Sequence, residues 1–107
     1  MIVNDGEKVI KDILSYAGIT EEELVERTRK GGVITWRRIA CYLLYDYCMW
    51  TQQRIADRLF YERHETVAFH ANKVRFWMDN PKIAPIDLRI AVRNLIHTIT
   101  NEDLHRN

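Results

Sequence analysis

The chain has 107 residues, of which 47% are hydrophobic and 29% charged, and a formal net charge of +1. That length suits one domain with one core, and the balance excludes intrinsic disorder. No run approaches the ~20 apolar residues of a membrane span and Met1 to Glu7 is no secretory leader, so a cytoplasmic single domain over 1–107 with no membrane partner is expected.

Val9, Ile10, Ile13, Leu14 and Ala17 recur at steps of three and four before Gly18, which predicts an amphipathic helix closed by a residue that tolerates positive φ. Thr20-Glu21-Glu22-Glu23 fits a capping box and opens a short second helix to about Arg27. Thr28 to Ile34 holds Arg29, Lys30 and the pair Gly31-Gly32; it reads as a basic loop, because each glycine inside a helix costs ~1 kcal/mol against alanine. A third helix is expected from about Thr35 to Cys48, with Trp36, Ile39, Ala40, Leu43, Leu44 and Tyr47 in one stripe and Arg37 and Arg38 near its start.

Thr51 is placed to cap a short fourth helix carrying Ile55, Ala56, Leu59 and Phe60, after which Tyr61-Glu62-Arg63 reads as a turn. A fifth helix begins near His64, carries Val67, Ala71, Val74 and Met78, and ends before Asn80-Pro81. A sixth starts near Pro85 and buries Leu88, Val92, Leu95, Ile96 and Ile99. The aromatic residues Trp36, Trp50, Trp77, Tyr42, Tyr45, Tyr47 and Phe76 fall within these stripes and are expected in the core.

Cys41 and Cys48 lie among apolar residues and read as buried free thiols. His64-Glu65 lacks the second histidine that a zinc-protease helix needs four residues on, where Ala68 stands. His70 is six residues from His64, roughly 240° around a helix, and cannot share a metal with it from one face. Phosphate-cradling, dinucleotide-binding, nucleophile-elbow and CxxC motifs are missing, so no enzyme, cofactor or metal is expected. His97 and His105 likewise carry no partner pattern.

Charge is distributed unevenly: residues 1–26 carry −5, residues 27–78 carry +6 and the remainder is neutral. The basic segment coincides with two short helices joined by a turn, over about 51–79. Such a pair suits a helix-turn-helix, in which the second helix enters a major groove and the first braces it across the backbone. Helix pairs are common in bundles, so this pattern by itself leaves DNA binding open.

Ile55-Ala56-Asp57-Arg58-Leu59-Phe60-Tyr61-Glu62-Arg63-His64-Glu65-Thr66-Val67 resembles the C-terminal DNA-binding domain of the bacterial replication initiator DnaA. Ile55, His64, Thr66 and Val67 match that family's pattern in register, and Lys73 matches a later basic position. Tyr16-Ala17-Gly18-Ile19, Glu22-Glu23-Leu24, Arg27-Thr28-Arg29-Lys30 and Arg37 with Ala40-Cys41-Tyr42-Leu43 extend the resemblance over roughly residues 9 to 97.

The resemblance implies an all-α, Trp-repressor-like bundle of about six helices that binds double-stranded DNA. It places Arg63, His64, Glu65, Thr66 and Lys73 on the reading helix, Gln53 on the bracing helix, and Arg37 at the DNA face, with Arg27, Arg29 and Lys30 in a DNA-binding basic loop of which an arginine reaches the minor groove. Arg63 stands where the family has aspartate, Glu65 where it has threonine, Phe60 where it has glycine, Gln53 where it has proline and Tyr45 where it has lysine. Arginine suits guanine O6 and N7 whereas a carboxylate accepts from cytosine N4, so the recognised site is expected to differ from the family's.

The initiator's ATPase module has no counterpart in these residues, which points to a regulator or site-marking protein of an origin or promoter. Plainer roles stand beside these. His64 and Thr66 could serve the helix start, the basic loop could be solvated surface, and Arg37 could pair with Asp46 or the acidic first segment. A helical protein-interaction module is the rival reading, supported by Glu62 and Glu65; a ligand-responsive repressor rests on fold analogy alone. Monomer and homodimer are both compatible with the sequence.

Overall fold

Short polar side chains set where the first helices begin. In a computed structural model, which describes residues 5–26 and 31–104, Asp5 accepts from the Lys8 amide at 3.0 Å and starts α1 (Gly6–Ala17). Gly18, at φ 69°, closes α1 by donating its amide to the Leu14 carbonyl. Thr20 and Glu23 form the reciprocal capping box that opens α2 (Glu21–Val25), each receiving the other's backbone amide at 3.1 Å. Thr51 accepts from the Arg54 amide, also at 3.1 Å, and starts α4 (Gln52–Leu59).

The remaining helices are α3 (Gly31–Asp46), α5 (His64–Asp79) and α6 (Leu88–Leu104), and no strand occurs among the described residues. Helix α3 is the central member. It packs most extensively on α5 and also meets α1, α2 and α4, while α6 lies on α1. Ile39, Leu43 and Leu44 of α3 are at most 1% exposed, as are Ile10 and Ile13 of α1, Ile55 and Leu59 of α4 and Val67 and Val74 of α5, so one core joins the bundle. Across its edge, Tyr16 of α1 meets Trp36 of α3 edge-on and accepts from Asn94 of α6 at 3.0 Å.

Several boundaries and environments differ from expectation. Helix α3 begins at Gly31, where a loop is expected up to Ile34. A helix's first amides have no intrahelical partner, so glycine costs least there, and Val33 at 6% exposure ties that turn to the core. The same helix stops at Asp46 because Met49 turns left-handed, φ 58°. Helix α2 ends at Val25, with Glu26 extended. Helix α6 starts at Leu88 instead of near Pro85, because Asp87 is also left-handed, at φ 66°, and ends the preceding turn. Phe60 belongs to no helix stripe: it is the left-handed C-cap of α4, φ 61° and 65% exposed. Phe76 is half exposed on α5, whereas Trp50, Trp77 and Tyr42 are buried. Cys41 and Cys48 are buried and unbridged, and burial pushes the Cys41 thiol up to about 12, which makes it inert.

Candidate nucleic-acid interface

Trp50 fixes the start of α4. Its indole lies against the backbone of Gly6, at the first position of α1, and the Arg54 guanidinium stacks over the ring 3.8 Å from its centroid. Further along α4, Arg58 donates to Glu7 at 2.9 Å and to Glu21 at 2.5 Å, clasping α4 to α1 and α2. Those hydrogen bonds from Arg58 hold the Glu7 carboxyl below its ordinary value. Part of the acidic first segment therefore neutralises part of the basic centre. Gln53, expected at the DNA face, donates to Asp57 of its own helix at 2.8 Å.

The turn from α4 to α5 is closed by the Tyr61 amide, which donates to the Ala56 carbonyl at 2.8 Å, and by the left-handed Phe60. Arg63 then occupies the N-cap of α5 without a side-chain capping bond, and the Thr66 amide turns back to the Arg63 carbonyl at 3.2 Å. Thr66 does not cap. Arg63, with a side chain 78% exposed, donates to Glu65 at 3.2 Å, while His64 Nε2 lies 2.9 Å from the other Glu65 oxygen. The hydrogen bond from Arg63 holds the Glu65 carboxyl below its ordinary value.

With Val67, Ala71 and Val74 turned to the core, the side of α5 farthest from it carries Glu65, Phe69, Asn72 and Phe76, at steps of four, three and four. All four are exposed, Phe69 at 59%. Phe69 and Asn72 are not singled out by sequence. Stepping half a turn from the apolar stripe would find them, but family matching draws attention to the helix start instead. Lys73 flanks this face, with Nζ 5.4 Å from the Trp77 ring centroid, and Arg38 of α3 approaches the same ring at 5.6 Å.

Arg38 also donates from Nε to Nδ1 of His70 at 3.3 Å. Burial, together with Arg38 and Arg37, lowers the His70 pKa to about 4, so the imidazole is neutral near pH 7 and carries its proton on Nε2. Arg75, two residues beyond Lys73, is held by Asp46 of α3 through Nε at 3.1 Å and through Nη2.

Arg37 is turned inward, 9% exposed, and its Nε donates to the Leu24 carbonyl at 2.6 Å, tying α3 to α2. Neither the outward DNA contact nor the Asp46 pairing expected for it is present, since Asp46 is taken by Arg75. Nearby, burial pushes the Tyr61 phenol up beside the Cys41 thiol, and Arg37 Nη2 is buried without a hydrogen-bond partner among the described residues. Arg27, Arg29 and Lys30 lie outside the described residues.

The basic charge of the central segment is thus sorted. Arg58, Arg63 and Arg75 are paired with carboxylates, whereas Arg38, Arg54 and Lys73 lean on aromatic rings and make no ion pair among the described residues. A cation on a ring keeps its charge and is available to a phosphate. Among the described residues no helix is long and apolar enough to cross a membrane, and no group of three or more His, Cys, Asp or Glu could hold a metal ion. Comparison with protein-family models and with curated proteins finds no match for the chain.

Proposed function

We propose that the chain binds double-stranded DNA sequence-specifically, with α4 as bracing helix and α5 as reading helix of a Trp-repressor-like helix-turn-helix similar to that of the DnaA DNA-binding domain. Its role is that of a regulator or site-marking protein of an origin or promoter. The observation that carries this reading is the exposed outer side of α5, directly after a tight turn and flanked by Arg63, His64 and Lys73. At ~1.5 Å per residue a 16-residue helix is ~24 Å long, and a major groove ~12 Å wide admits it. Arg38, Arg54 and Lys73, which lean on aromatic rings, suit phosphates.

Selection from random duplexes at fixed salt tests this. One short motif should be enriched, and the enrichment should be lost on joint Arg63→Ala and His64→Ala substitution. Binding should weaken steeply with salt as counterions are released. No enrichment and no salt-dependent binding to any duplex rejects the proposal. The rival, a helical protein-interaction module, is favoured by the carboxylate pairing of Arg58, Arg63 and Arg75 and by the exposed Phe69 and Phe76. It predicts that second outcome.

A further inference from the structure

A reading helix in a polyanion's groove ordinarily presents polar side chains, yet the outward position one turn after Glu65 is an aromatic ring. Phe69 is 59% exposed and touches the His70 ring edge-on at 5.7 Å, so it stands on the surface of α5 without entering the core. It lies between an ion-paired carboxylate and a cation. Glu65, one turn earlier, is bridged by Arg63 and His64, and Lys73, one turn later, rests its ammonium on Trp77 without a carboxylate partner among the described residues. Lys73 therefore complements phosphate, while the Phe69 ring itself has nothing to offer a phosphate.

On base edges in the major groove, the apolar feature that an aromatic ring can meet is the 5-methyl group of thymine. We infer that Phe69 reads a thymine through that methyl group, making it a specificity-determining residue. This rests on the DNA-binding reading proposed above. Six residues into α5, Phe69 is ~7.5 Å along the axis from His64, about two base-pair steps of ~3.4 Å, so the thymine lies two pairs from the bases met by Arg63 and His64. Phe76, ~10.5 Å further along the axis, is beyond the bases that the start of the helix can reach.

The test is selection from two random duplex pools, one containing thymine and one with uracil throughout, which differ only in that methyl group. The thymine pool should enrich a motif with an invariant thymine, on either strand, two pairs from the position sensitive to Arg63→Ala. Replacing that single thymine by uracil in the selected duplex should weaken binding about fourfold, the worth of one buried methyl group. In Phe69→Ala the thymine and uracil duplexes should bind alike, and Phe69→Leu should restore part of the difference. Specific, salt-dependent binding that treats the two duplexes equally, or a difference that survives in Phe69→Ala, overturns the assignment to Phe69 and leaves DNA binding standing. No salt-dependent binding to either pool overturns both.

Discussion

Replacing Gly6 by alanine probes how α4 is held. A Cβ built on Gly6 falls 2.3 Å from Trp50 Cζ2 and 2.4 Å from Cε2, both atoms of a rigid indole that also carries the Arg54 guanidinium. The ring cannot swing aside as a flexible side chain would. Either α1 lifts or Trp50 withdraws, and overpacking of this kind costs about 1–3 kcal/mol. Alanine returns at most ~1 kcal/mol of helix propensity, and less at the first helical residue. The expected net loss is about 1–2 kcal/mol, or roughly 5–10 °C in melting temperature for a domain of this size.

Thermal and urea unfolding followed by far-UV circular dichroism measure it. Gly6→Ala is then repeated in a Trp50→Leu background, where the clash is absent and the substitution should be neutral or slightly stabilising. A variant as stable as the parent, or an equal loss in both backgrounds, would falsify the claim that this contact anchors α4.

Two further outcomes concern the turn and the buried imidazole. Phe60 has a left-handed backbone that costs a side-chain-bearing residue ~1–2 kcal/mol, and at 65% exposure its ring buries little. Phe60→Gly should therefore stabilise the fold by about 0.5–1 kcal/mol despite glycine's unfolded-state entropy, and a lower urea midpoint contradicts this. Burial, with Arg38 and Arg37 nearby, lowers the His70 pKa to about 4 from the ordinary 6.5, so between those values the unfolded chain binds more protons. Its contribution to stability is complete above pH 6.5 and is lost as pH falls through 4. NMR titration of the His70 ring should give a midpoint near 4, rising in Arg38→Gln, and a midpoint near 6.5 in the parent excludes the burial and contact that the structure places there.

Local chemistry made much of the fold legible. Asp5, Thr20, Thr51 and Gly18 act through backbone groups within a few residues of themselves, and the stripes of α1, α4 and α5 are regular enough to mark both helix and core side. Boundaries were harder where a long-range contact overrides local preference. The glycine pair at the start of α3 reads as a loop until Val33 is seen in the core, and nothing local announces the left-handed turn at Asp87.

Residue types and their order thus determined that the chain forms an all-helical bundle and where most of its helices lie. Tertiary structure decided which charges remain available. Arg37 looks as promising in sequence as Lys73, and Arg58 and Arg75 are as basic as Arg38, but the partners of Arg37, Arg58 and Arg75 at Leu24, at Glu7 and Glu21, and at Asp46 come from other helices. An ion pair or a buried guanidinium depends on distances set by packing, and no periodicity along one helix contains them.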